Sequence, residues 1–542
     1  MKHILFFTFF LFSFSCFSQD YYGNSRERWL QKAEMYKPEL TITEKKPLNI
    51  VEILPDDKAF QKFEARKLSP ADALYTLPFR EKKQVIIDFG EHITGYFSFS
   101  VRTTGRAADG PLRLKFTFGE VAAEVAANFN DYKGSLSRAW LQDETVTVMH
   151  APQTITLPRR LSFRYVKIEL LGCSPQYDFN IYDLCCKAQT SAQNVPAGLP
   201  ENVSPMIREI DRVGLNTLKE CMQTVFEDGP KRDQRLWIGD LYLQSLGNIF
   251  SYQQYDLTKR CLYLLAAMSH TNGYLHATVI EKPTPRAQEG QFLFEYALLF
   301  NVCLKDYLEA TGDVETASEL WPVAKRQLDI IRTYVLSNGL MDFEKLGKEW
   351  WIFFDWKENL HKEVAVQGFS IFALKESYKL AQWLGKENEV ADLPGLFAKM
   401  SHAARKNFYD KKSGLFVGIT NKQISCASQI WMILSGVASP GEGRKALSAL
   451  DSTPEVCQPG TPYLYHYYIQ SLIDCNMHRK AKEALTDYWG GMLNKGADTF
   501  WEVYNPGNDF ISPYNFYPIN SYCHAWSCTP VYFIRKYTEV FQ

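Results

Sequence analysis

Ser191-Ala-Gln-Asn-Val-Pro-Ala-Gly-Leu-Pro-Glu-Asn-Val-Ser204 divides the chain into two halves with different periods. Its prolines and glycine punctuate rather than continue an element. Upstream, from about Leu48 to Leu184, the pattern is strand-like. Thr94-Gly-Tyr-Phe-Ser-Phe-Ser-Val-Arg-Thr103 alternates apolar and polar residues with period two, as do Leu112–Phe118, Thr145–Met149 and Phe163–Glu169, and Gln84–Phe89 forms a further run. Such runs, separated by Gly and Pro, predict a β-sandwich. Downstream the period becomes helical. Ile207, Ile210, Leu218, Cys221 and Val225 share one face, with Gly214 in the remaining slot. Eleven more helical stretches follow, the last over 521–540. Consecutive helical hairpins without a fixed repeat predict an (α/α)6 barrel rather than a solenoid. The expected organisation is a leader at 1–18, a sandwich domain at 19–195 and a six-hairpin domain at 196–542.

Composition narrows the function classes. Of 542 residues, 46% are hydrophobic and 14% aromatic, which excludes a disordered chain. Lys+Arg is 60 against Asp+Glu 61, so the positive surplus that neutralises phosphates is missing and no nucleic-acid partner is expected. Met1-Lys2-His3 precedes an apolar run, Ile4 to Phe14, and the small residues around Cys16. That is the layout of a secretory signal peptide, with cleavage expected after Ser18. A lipoprotein acylated at Cys16 is the alternative. No later stretch has the ~20 apolar residues of a membrane span, so the protein is expected to be periplasmic or extracellular. Eleven cysteines remain, spread from Cys173 to Cys528, too thinly for a disulfide framework.

Two loop segments concentrate charge. Glu227-Asp-Gly-Pro-Lys-Arg-Asp-Gln-Arg-Leu-Trp-Ile-Gly-Asp240 lies between the first two helices. Gly496-Ala-Asp-Thr-Phe-Trp-Glu-Val-Tyr-Asn-Pro-Gly507 carries Asp498 and Glu502, the latter between Trp501 and Tyr504. Glycoside hydrolysis needs one protonated carboxyl for the leaving oxygen and one ionised carboxylate for water or direct attack. An Asp-dense loop facing a Glu beside Trp can supply the pair. The competing reading is structural: Asp228 and Asp240 as helix caps, Asp233 paired with Arg232 or Arg235. Glu295, a lone acid in the apolar Phe292-Leu-Phe-Glu-Tyr296, is either a site residue or a satisfied core carboxyl. His524 is expected on an apolar helix.

These segments resemble the motifs of family-78 α-L-rhamnosidases, the six-hairpin glycosidases. Asp228–Asp240 resembles their acidic motif, Gly496–Glu502 their later Trp-Glu motif, Phe354-Asp-Trp356 their Gly-Asp-Trp segment and Ser521–Ser527 their closing Ser/His segment. Asp88-Phe-Gly and Thr94-Gly-Tyr in the leading β domain are also similar. The resemblance implies inverting hydrolysis, with Glu502 as the base that activates water. It leaves two registers for the acid. Aligned backwards from Asp240, Asp233 takes the acid position. Aligned forwards from Arg232, Gln234 does, and the site is then altered or dead. Asp is one methylene shorter than the family's Glu, a difference of ~1 to 1.5 Å in reach. The candidate substrate-binding residues are Asp228, Arg232, Trp237, Asp240, Glu295, Asp355, Trp356, Trp501 and His524, with Trp351 a further stacking candidate; the tryptophans could equally fill the barrel.

The expected partner is an oligosaccharide or glycoside. No cofactor is implied, since phosphate-loop and dinucleotide motifs are missing, and no HExxH or CxxC pattern points to zinc. Calcium and oligomeric state stay open. A polysaccharide lyase on the same barrel and an inactive sugar-binding homologue are the competing functions.

Overall fold

The structure is a computed structural model that describes residues 20–542, so the signal-peptide and Cys16 readings lie outside the described residues. A helix, α1 (Ser25–Met35), comes first. Nine strands follow: β1 (Thr41–Lys45), β2 (Asn49–Pro55), β3 (Phe63–Pro70), β4 (Gln84–Thr104), β5 (Leu112–Gly119), β6 (Asp143–Val148), β7 (Gln153–Thr156), β8 (Leu161–Gly172) and β9 (Asp178–Thr190). All pairings are antiparallel. Gln84–Phe89 and Thr94–Thr103, read as separate runs, are one strand, β4, whose register shifts between Asp88 and Ile93. That shift lets β4 serve two layers. Its first half pairs with β2, its second half with β7 and β9, and β8 spans the break. Period-two patterning sends Phe97, Phe99, Phe116, Phe118 and Phe163 into the shared core.

The helical half is built around twelve helices: α2 (Pro205–Cys221), α3 (Ile238–Ile249), α4 (Tyr255–Ala267), α5 (Phe294–Thr311), α6 (Val314–Tyr334), α7 (Glu363–Trp383), α8 (Leu393–Phe408), α9 (Cys426–Leu434), α10 (Pro440–Ala449), α11 (Pro462–Asp474), α12 (His478–Asn494) and α13 (Pro530–Lys536). Helices α3, α5, α7, α9 and α11 pack on one another in turn as an inner ring, which Ala525–Cys528 and α13 close against α3. The remaining helices back them from outside. Local chemistry sets several starts. The Ser204 hydroxyl caps α2 ahead of Pro205, Asp313 caps α6 by accepting from Thr316 N, and Ser439 with Glu442 forms a capping box around Pro440.

Two expectations are corrected. The helix expected over 521–540 is broken. The N–H groups of Ser521, Tyr522 and His524 bond to the Glu502 carboxylate, the Glu120 carboxylate and the Phe500 carbonyl, instead of to carbonyls four residues back. The chain turns helical only at Ala525, and α13 starts at Pro530. Helix α1, placed by sequence order with the sandwich, packs on α4 instead, with Trp29 and Ala33 in the barrel core. The eleven cysteines are free thiols, most of them buried. No helix among the described residues is long and apolar enough to cross a membrane.

Candidate active site

The connection from α2 to α3 folds over one mouth of the barrel. Asp228 N donates to Arg235 O at 3.0 Å, and Arg235 N donates back to Asp228 Oδ1 at 3.1 Å. The six residues between them form a closed loop. Its tip is left-handed at two successive non-glycine residues, Asp233 (φ 57°) and Gln234 (φ 52°), a conformation that costs an L-residue roughly 1–2 kcal/mol. Such strain concentrates at functional sites. The turn aims the two side chains apart. Gln234 Nε2 donates to Pro230 O at 2.7 Å, while Asp233 lines a cavity at the barrel mouth. Leu236–Trp237 then pairs with Thr278–Ile280, which orients Trp237.

The second wall comes from Gly496–Glu502, which runs beside Ser521–Ser527. Glu502 N donates to Ser521 O and His524 N to Phe500 O, both at 2.9 Å, and Thr499 Oγ1 donates to Tyr522 O at 2.7 Å. Glu502 is buried, and its carboxylate accepts from Arg232 Nη2, from the Tyr514 hydroxyl and from Ser521 N. Burial alone would raise its pKa. The Arg232 charge and the Tyr514 and Arg232 hydrogen bonds outweigh burial and hold the carboxyl below its ordinary value. Arg232 Nη1 donates to Asp233 Oδ1 at 3.3 Å, so one guanidinium joins the two carboxylates. Its Nε donates to Ile519 O, and its Cζ lies 4.4 Å from the Tyr514 ring centroid. All three nitrogens of the guanidinium are thus engaged within the protein.

Behind this pair sits a second acidic layer. Asp228 and Asp240 are pushed well above the usual carboxylate range, mainly by burial and then by the neighbouring carboxylates. His524 lies between them, with Nε2 4.0 Å from Asp228 Oδ2 and Nδ1 3.7 Å from Asp240 Oδ1. Burial pulls the imidazole down to about 4, so it is neutral at pH 7. Asp240 Oδ1, His524 Nδ1 and Trp356 Nε1 are buried without a hydrogen-bond partner. Orphaned buried polar atoms are rare. Here all three belong to cavity-lining residues, where the hydroxyls of a sugar can satisfy them. Aromatic walls surround them: Trp237, Tyr296, Phe353, Trp356, Tyr514 and Trp526, with Trp351 43% exposed at the rim.

The structure therefore gathers Asp228, Arg232, Asp233, Trp237, Asp240, Trp351, Trp356, Glu502 and His524 around one cavity. Three residues expected there lie elsewhere. Glu295 turns its carboxylate to Phe353 N and fastens the segment that carries Phe353 and Trp356. Burial raises it to about 8. Asp355 accepts from Gly460 N and Thr461 Oγ1, each at 2.6 Å, and so ties two loops together. Trp501 stacks on Phe60 of the sandwich domain, with centroids 4.1 Å apart, and is buried at the interface. Four further aromatic wall residues, Tyr296, Phe353, Tyr514 and Trp526, are not among the site residues the sequence suggests. Three of them lie inside or beside quoted motifs, and that proximity was the available signal. Tyr514 sits in a Pro- and Asn-rich loop with no such marker. Among the described residues, no group of three or more His, Cys, Asp or Glu is arranged to hold a metal ion.

Residues 47–188 match the glycosyl hydrolase family 78 alpha-rhamnosidase N-terminal domain, and residues 198–538 the bacterial alpha-L-rhamnosidase 6 hairpin glycosidase domain. A solved structure described as a rhamnosidase from Klebsiella oxytoca with rhamnose bound is 38% identical, with a TM-score of 0.90 over 94% of this chain and 99% of that one. The chain belongs to glycosyl hydrolase family 78. More distant likeness in fold extends to a family-78 rhamnosidase of Bacillus sp. GL1 (19% identity, TM-score 0.70, 87% of this chain and 49% of that one). It extends also to an α-L-rhamnosidase of Dictyoglomus thermophilum (15%, 0.65, 92% and 52%). This family-78 chain spans about half the length of those two, and nearly all of the Klebsiella protein. No curated protein matches the sequence.

Proposed function

We propose that this family-78 protein is an exported exo-acting glycosidase that removes terminal α-L-rhamnose, or a closely related sugar, by inverting hydrolysis. The observation that carries the mechanism is that Asp233 and Glu502 line one cavity, with Glu502 held ionised by Arg232 and Tyr514. Glu502, held ionised, takes a proton from water as it attacks the anomeric carbon. Asp233 gives its proton to the departing oxygen. Asp233 is favoured over Asp228 and Asp240 because its side chain keeps 18% exposure, against 5% and 3% for theirs, and a leaving group must exit toward solvent. The Gln234 alternative is disfavoured, because that side chain is engaged with Pro230 O. The likeness to a protein described with rhamnose bound supports the choice of sugar.

Glu502→Gln and Asp233→Asn are each expected to lower kcat on an aryl α-L-rhamnoside by about 10²-fold or more. Asp233→Asn should be milder on a dinitrophenyl glycoside, whose leaving group needs no proton. Proton NMR of the first turnover should show β-L-rhamnose. An α-anomer first would overturn inversion, and wild-type rates in both variants would overturn the assignment. An unsaturated, ultraviolet-absorbing product would indicate a lyase instead. Export rests on the leader reading of 1–18, and N-terminal sequencing of the mature protein should begin at Gln19. A lipidated Cys16 start would replace that reading with the lipoprotein.

A further inference from the structure

The residue before Arg232 makes contacts that hydrolysis itself does not require. Lys231 is 1% exposed and sits in the loop tip of the helical domain, yet its ammonium is held by the sandwich domain. Nζ lies 2.5 Å from Glu124 Oε1 and 3.3 Å from Glu120 Oε2, both carboxylates on the segment just after β5. It also donates to Asn520 O and stands 5.1 Å from the Tyr522 ring centroid.

The strap Ile519–Tyr522 shows what this arrangement does. Ile519 O accepts from Arg232 Nε, and Asn520 O accepts from Lys231 Nζ. Ser521 N donates to Glu502 Oε2, and Tyr522 N donates to Glu120 Oε2 at 2.6 Å. Four successive residues thus bond, in order, to the guanidinium at the site, the buried ammonium, the proposed base and a carboxylate of the sandwich. A shift of the ammonium moves the strap, and the strap carries one donor to Glu502 and one acceptor for Arg232.

We propose that Lys231 is a positioning residue for hydrolysis: clamped by Glu120 and Glu124 of the sandwich domain, it sets the Arg232–Glu502 pair through the strap Ile519–Tyr522. The inference rests on Glu502 acting as the base. The sandwich then acts as part of the active-site scaffold. A misplacement of about 1 Å in such a pair costs up to 10²-fold in rate.

Two variants test it. Lys231→Met removes the charge with little change of bulk but leaves the buried Glu124 carboxyl facing no cation and Glu120 facing only His92. Glu124→Gln is gentler. Glu124 Oε2 accepts from Glu120 N and Val121 N, and the amide oxygen of Gln can keep both contacts. Its NH₂ would then face the Lys231 ammonium and break the clamp. In folded enzyme of either variant, kcat should fall about tenfold with KM within about twofold of wild type. The acid limb of the kcat–pH profile should also move up by about half a pH unit, since Glu502 loses well-placed donors. The groups facing Glu502 that frame that limb are Arg232, Tyr514, Asp240 and His524. A purely structural Lys231 would lower Tm and leave kcat per folded molecule and the pH profile unchanged, which overturns the proposal. If Lys231→Met does not fold, Glu124→Gln decides alone. If Glu502→Gln were itself fully active, the functional reading would fail instead of the clamp.

Discussion

Tyr514 shows how much one hydroxyl can govern. It donates to Glu502 while its ring lies under Arg232. A donor to the ionised form lowers a carboxyl pKa, so removing it raises the pKa, and activity that needs ionised Glu502 begins at higher pH. Tyr514→Phe should therefore shift the acid limb of the kcat–pH profile upward by about one unit and lower kcat below that limb, since a hydrogen bond to a charge is worth ~1.5–3 kcal/mol. An unmoved limb would show that Glu502 is not the titrating base. The sequence made the charge-dense loop legible, because Asp228, Asp233 and Asp240 fall in one short segment. It could not separate a carboxylate that faces the cavity from one that faces a backbone N–H. Glu295 and Asp355 read like site residues beside aromatics, yet their partners lie 58 and 105 positions away. Trp501 misled for the same reason, since its stacking partner, Phe60, belongs to the other domain.

At the scale of elements, periodicity foretold both halves, and it failed where tertiary hydrogen bonds override it, at Ser521–His524. The inner ring shows a further control that no period reveals. Gly368 in α7 faces α9, where an added Cβ would lie 2.7 Å from Trp431 C and 2.8 Å from its carbonyl oxygen. Backbone cannot yield as a flexible side chain does, so Gly368→Ala must push two inner helices apart. Overpacking of this kind costs typically 1–3 kcal/mol, read as a lower Tm. Gly395 in α8 has nothing within 4 Å of the same position. There Gly395→Ala should stabilise by ~0.4–1 kcal/mol, because it restricts the unfolded chain. Equal effects of the two substitutions would refute close packing of α7 on α9.

At the scale of the molecule, a formal net charge of −1 conceals a buried ionic seam between the domains. Arg160, the residue before β8, makes a two-pronged pair with Glu227, Glu120 and Glu124 hold Lys231, and Arg164 reaches Asp498 from the sandwich side. His92 in β4 completes the seam, 3.1 Å from Glu120 and 3.7 Å from Glu220. Removing one member of such a set leaves a buried charge uncompensated, which is strongly destabilising. Its titration has a defined direction. Burial pulls His92 down, but Glu120 and Glu220 overcome it and raise the imidazole to about 10, against ~6.5 in an unfolded chain. A group raised on folding contributes fully below its unfolded value and loses that contribution as pH rises through its folded value. Stability from His92 should therefore be complete below about pH 6.5 and decline toward pH 10. Glu124, raised mainly by burial from 4.5 to about 7, loses its share earlier, between those two values. His92→Gln keeps a neutral hydrogen-bonding side chain without the charge, so its denaturant midpoint should fall less steeply than wild type between pH 6.5 and 10, with the two profiles parallel below pH 6. Parallel profiles across the alkaline window would mean that His92 is neutral in the folded protein and that the seam is held by its arginines and Lys231 alone.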